Sequence, residues 1–160
     1  MVKGAWVFAF LLIGLFFIPR DLLAVGPASA TGSGQINGAN GAVRTFTFNA
    51  VVTATGTVTG HAELHDPVFF NESGHADVNC LVVAGNRAAI GGIVTQSDPP
   101  VFVGDTVVFL VEDNGEGLNA TGPDRISFVA MPSPGEDCSA FFALELHPID
   151  AGNVQVRQGR

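Results

Sequence analysis

The chain has 160 residues, and its 15 aspartates and glutamates outnumber its 7 lysines and arginines to give a formal net charge of -8. Acidity of this degree repels phosphate backbones and anionic lipid, which argues against nucleic acid and membrane surfaces as partners. The length is sufficient for one domain to bury a core without metal or dense cross-linking.

The first thirty residues read as an export signal. Lys3 supplies the positive start, Ala5 to Ile18 form a charge-free apolar run, and Ala28-Ser29-Ala30 offers a small-x-small cleavage pattern. The apolar run is shorter than the ~18 to 20 residues of a membrane span, and Arg20 with Asp21 close it. The expected organisation is a cleaved signal peptide over 1–30 and a single secreted β domain over 31–160, free of the membrane after cleavage. Lys3, Arg20, Asp21 and Trp6 leave with the signal. The remaining 5 arginines face 14 acids, and the domain has no lysine, tyrosine or tryptophan.

Beyond Thr31 the apolar residues recur at every second position, the period of half-buried strands. Phe46, Phe48, Ala50 and Val52 share one face, with Thr45, Thr47 and Asn49 on the other. The same pattern continues with Val58, Gly60, Ala62 and Leu64 against Thr57, Thr59, His61, Glu63 and His65. Gly85-Asn86 divides the run 75–83 from the run 87–95, and glycine at the first centre position suits a two-residue II′ hairpin. Further strands are predicted over 105–112, 125–131, 141–147 and 153–158, with a weaker one at 34–38. Short strands without crossover helices predict an all-β protein, an up-and-down antiparallel β-barrel of about eight strands, with an Ig-like β-sandwich as the alternative. Cys80 and Cys138 are the only cysteines. In an oxidising compartment they are expected to form one disulfide.

The segments 78–92 (VNCLVVAGNRAAIGG), 111–117 (VEDNGEG), 124–127 (DRIS) and 152–157 (GNVQVR), in that order, resemble a family of small uncharacterised secreted bacterial proteins. The resemblance implies a secreted β-rich domain with the two cysteines as a pair; it implies no activity and no catalytic residues.

Three local clusters could carry chemistry. The loop from Glu112 to Asp124 holds Asp113, Asn114, Glu116 and Asp124, an oxygen-rich set of the kind that surrounds calcium, although its spacing is not that of an EF-hand. His61, Glu63 and His65 alternate on one strand and could begin a zinc site, but their face reads as a solvated one. Phe69 and Phe70 sit in a polar segment, where paired aromatics either anchor a ligand or fold back over a core. No nucleophile motif is present, so no catalytic residue is assigned. The expected role is a non-catalytic binding or structural module outside the cell with an extracellular or cell-surface ligand. The rival is a secreted hydrolase using Asp113, Glu116 and Asp124.

Overall fold

A computed structural model describes residues 27–38, 41–67, 73–133 and 136–159. Nine strands follow one another: β1 (Ser29–Asn37), β2 (Val43–Val52), β3 (Val58–His65), β4 (Gly74–Ala84), β5 (Arg87–Gln96), β6 (Thr106–Glu112), β7 (Arg125–Ser127), β8 (Leu146–Pro148) and β9 (Ala151–Arg157). They form one antiparallel sheet in the order β8-β7-β6-β5-β4-β3-β2-β1-β9. The sheet curls into an open half-barrel. The chain is thus all-β as expected, but the barrel is not closed, and a single curled sheet stands in place of the two packed sheets of an Ig-like sandwich. Among the described residues no helix is long and apolar enough to cross a membrane.

The predicted alternation determines which side faces in. In β2, Phe46, Phe48 and Ala50 are buried, while Thr45, Thr47 and Asn49 are exposed. The inner core continues across the sheet through Val78, Ile90, Phe109, Val111, Ile126 and Val154. The β4–β5 hairpin turns through Gly85 and Asn86 alone, and Gly85 has φ +63°. A positive φ at the first centre residue only is the feature of a II′ turn, which glycine adopts without steric cost.

The central strands are covered on their outer side as well. Ala89 from β5 and Val108 and Leu110 from β6 form a second cluster with Cys138 and Leu146, against which Phe141, Phe142 and Leu144 pack. The predicted strand 141–147 is therefore mostly something else. A 3-10 turn, Cys138–Phe141, leads into the three residues of β8. Adjacent Phe141 and Phe142 break the alternation that a strand needs and lie against the outer face of β4 to β6. The Cys80–Cys138 disulfide fastens this covering segment to β4, with 58 residues of sequence separation between the sulfurs. Closing a loop of that length stabilises the fold by about 4 kcal/mol on the chain-entropy account.

β1 begins five residues before the weak strand that the sequence predicts. Small residues in Ser29-Ala-Thr-Gly-Ser-Gly hide its alternation, yet Ser29 and Ala30 pair with Val51 and Ala50 of β2 and with Arg157 and Val156 of β9. Ala30 is completely buried. The expected leader boundary at Ala30–Thr31 thus falls inside a strand paired on both sides. A chain beginning at Thr31 should melt about 3–5 °C below one beginning at Pro27, the shift expected for a loss of about 1 kcal/mol in a domain of this size. Calorimetry of the two chains tests this, and equal melting temperatures would show that the first two residues of β1 contribute nothing.

Candidate functional site

The inner face of the curl encloses a cavity of ≈ 470 Å³. Register explains why it exists. Phe48 on β2 stands opposite Ala62 on β3, Ala62 opposite Ala76 on β4, and Ala76 opposite Val94 on β5. The neighbouring row runs from Phe46 through Leu64 to Gly74. Alanine and glycine at successive inward positions leave the space that larger side chains would fill. Phe46, Phe48, Phe109 and Phe102 wall it, and Phe128, Val129 and Met131, all partly exposed, mark where it reaches solvent.

Its polar lining groups are few: Arg44, Asp66 and Ser127 on the inward side, and Thr47, Glu63 and His75 at its border. Arg44 Nε lies 2.7 Å from Asp66 Oδ2, with only 4% of the Asp66 side chain exposed. The Nε–H itself is not aligned on an acceptor. The guanidinium stands 4.7 Å over the ring of Phe128, whose centroid is in turn 4.4 Å from that of His147. Ser127 Oγ accepts from the Leu110 amide and donates to the Phe128 carbonyl. The lining therefore combines a mainly apolar wall with an inward Arg44–Asp66 ion pair and, at its border, Glu63 and His75, in the size range of pockets that enclose drug-sized ligands.

The acidic loop lies elsewhere. None of Asp113, Asn114, Glu116 and Asp124 lines the cavity: Asp113 is four residues beyond Phe109, about 13 Å along the extended chain, and Asp124 stands two residues before Ile126, Phe109 and Ile126 both being lining residues. Its carboxylates are occupied along the seam between β9 and the β6–β7 connection. Asp113 Oδ2 accepts from the Val156 amide at 2.9 Å and Oδ1 from the Gly115 amide. Asp124 Oδ2 accepts from the Val154 amide at 2.7 Å and Oδ1 from the Asn114 amide at 2.8 Å. Glu116 Oε1 accepts from the side-chain amides of Asn153 and Gln155. These two hydrogen bonds hold the exposed Glu116 carboxyl below its ordinary value, against a smaller desolvation effect. Asn114 donates through its side chain to Glu112 and to the Pro123 carbonyl. The four residues singled out for calcium are therefore spread along a seam and bonded to protein donors.

The histidine cluster follows the outward parity of β3 and β4, with Glu63 and His75 also reaching the border of the cavity. His61 Nδ1 pairs with Asp77 at 3.0 Å and His75 Nδ1 stands 4.0 Å from Glu63, each pair directly opposite across β3 and β4. Among the described residues, Cys80, Asp137 and Cys138 are the group of three potential metal ligands whose atoms approach within 4.8 Å, and the two sulfurs are bonded to each other. Phe69 and Phe70 lie outside the described residues.

Comparison with known proteins finds no matching family model, no curated protein and no solved structure.

The seam carries two predictions. Asp124→Ala leaves the buried Val154 amide and the Asn114 amide without acceptors and should cost about 2–4 kcal/mol in urea unfolding, with Asp124→Asn costing less. An unchanged midpoint would remove the seam role. Glu112 stands in register with Arg87 on one side and Arg125 on the other. Burial pushes its carboxyl up, but hydrogen bonds from Arg87 and Asn114 and the charges of both arginines outweigh this and hold it below the ordinary 4.5. Its stabilising contribution is present above pH 4.5 and is lost as the pH falls through the lowered folded value. Melting temperature between about pH 3 and 7 should fall on acidification, and Glu112→Gln should flatten that slope; an identical slope in the variant would contradict the assignment.

Proposed function

We propose that this chain is an exported, non-catalytic binding module that holds a small apolar molecule inside its curled sheet. The observation that carries the reading is the cavity itself. Apolar space of this size, made by small inward residues and open at one end, is destabilising unless something fills it, because its walls forgo dispersion contacts. Its inward polar groups face one another or the backbone, Arg44 beside Asp66 and Ser127 on Leu110 and Phe128, which suits retention of a ligand better than chemistry on one. The carboxylates that a hydrolase would use, Asp113, Glu116 and Asp124, do not line the cavity and are bonded across the seam to β9. Export fits the leader pattern of residues 1–30, the disulfide and the resemblance to secreted bacterial β proteins. The acidic, lysine-free surface favours solubility outside the cell.

Titration with the neutral fluorophore N-phenyl-1-naphthylamine tests the reading. Saturable, blue-shifted emission at a 1:1 ratio is expected. Ala76→Phe, which places a ring in the cavity, should weaken binding at least tenfold while the protein stays folded. Absence of saturable binding by the unaltered protein, or full binding by a folded Ala76→Phe variant, would overturn it.

A further inference from the structure

We infer that the molecule held in the cavity is electrically neutral, an uncharged lipid-like or aromatic compound such as an alcohol, ketone or ester, and neither a fatty-acid anion nor an amine. The inference rests on the binding reading above and follows from the charges that face the interior. Positions 44, 46 and 48 share a side of β2, and positions 62, 64 and 66 share a side of β3 and its extension. Arg44 and Asp66 therefore turn toward the cavity that they line. Glu63 and His75 also border the cavity, but by parity they belong to the outward set, where they stand 4.0 Å apart across β3 and β4 with both side chains partly in solvent.

The inward pair is already neutral. A carboxylate entering beside it meets a guanidinium whose charge is taken by Asp66 at 2.7 Å, and meets the buried Asp66 carboxylate as well. The rest of the wall consists mainly of phenylalanine, alanine, valine and glycine, which cannot solvate an ion, so an anion would be buried without a counter-charge. An ammonium group fares no better. The two inward features that would hold it, the Asp66 carboxylate and the face of Phe128, are occupied by Arg44, which stands 4.7 Å over that ring, and the Glu63 carboxylate at the border faces His75 on the outward side. A neutral ligand leaves the pair intact and desolvates no ion.

Displacement of N-phenyl-1-naphthylamine by three eight-carbon molecules, 1-octanol, octanoate and octylammonium, at pH 7.5 separates the possibilities. Octanol is expected to displace the probe at a concentration at least tenfold below that of either ion. Octanoate or octylammonium matching octanol would overturn the neutral assignment and leave the binding reading standing; failure of the probe itself to bind would overturn the binding reading instead. Two variants test whether the Arg44–Asp66 pair sets the preference. Asp66→Asn frees the guanidinium and should improve octanoate at least tenfold relative to octanol. Arg44→Gln removes the guanidinium charge from beside the Asp66 carboxylate and should do the same for octylammonium. Folded variants that keep the original ranking would refute the role of the pair, and the ranking in the unaltered protein decides the neutral assignment even if neither variant folds.

Discussion

A two-residue link governs the shape of this molecule. β8 lies at one edge of the nine-stranded sheet and β9 at the other, yet only Ile149 and Asp150 separate them in the chain. Three Cα steps from Pro148 to Ala151 reach at most about 11 Å. A flat sheet would hold its two edges about 38 Å apart, eight strand spacings of roughly 4.8 Å. The sheet has no choice but to curl until its edges nearly meet. The link is itself tied down: Ile149 donates to the Asp124 carbonyl and Asp150 to the Gln35 carbonyl, and the Asp150 carboxylate accepts from the Asn37 amide. Gly152, just beyond, has φ +122°, and a side chain there would overlap the Ser33 carbonyl. Neighbouring strands approach so closely at this corner that no side chain could be accommodated.

Edges that nearly meet leave unpaired amides facing each other, and the acidic loop supplies what a tenth strand would have supplied. Asp113 and Asp124 present carboxylate oxygens to the amides of Val156 and Val154 where backbone carbonyls would otherwise stand. Charge-assisted bonds of this kind are shorter and stronger than carbonyl bonds. They also protect β9 from pairing with another chain, the usual hazard of an exposed sheet edge. The half-barrel is thus held along one end of its seam by side chains, while at the end bearing Arg44 and Asp66 the described residues leave the cavity within reach of solvent.

The legibility of the sequence followed the strength of its alternation. Inward and outward faces of β2 and β3 could be read directly from Phe46, Phe48, Ala62 and Leu64. By the same parity Arg44 and Asp66 also faced inward, a signal present in the residues but overshadowed by the apolar positions between them. β1 was obscured because the small residues that form a cleavage pattern, Ala28-Ser29-Ala30, are also those that fit beneath two neighbouring strands. The choice among barrel, half-barrel and sandwich depended on β8, whose three residues are too few for any periodicity to register. The acidic loop was ambiguous for a chemical reason. Oxygen-rich turns suit a cation and an array of amide donors equally, and the donors that engage it come from 30 and 43 residues away.

The cavity follows from the curl and not from local sequence, which explains why composition pointed to the acids and away from the phenylalanines. On a flat sheet, Ala62, Ala76 and Gly74 would be unremarkable small residues, and Phe46 and Phe48 an exposed stripe in need of a cover. Curling brings Phe109 of β6 to within 5.3 Å of Phe48, centroid to centroid, across four intervening registers. That contact closes the interior on one side of the small residues and leaves the remaining volume on the other. The constraint imposed by Ile149 and Asp150 at the seam is therefore also what converts a row of alanine and glycine on the far strands into a binding-sized space.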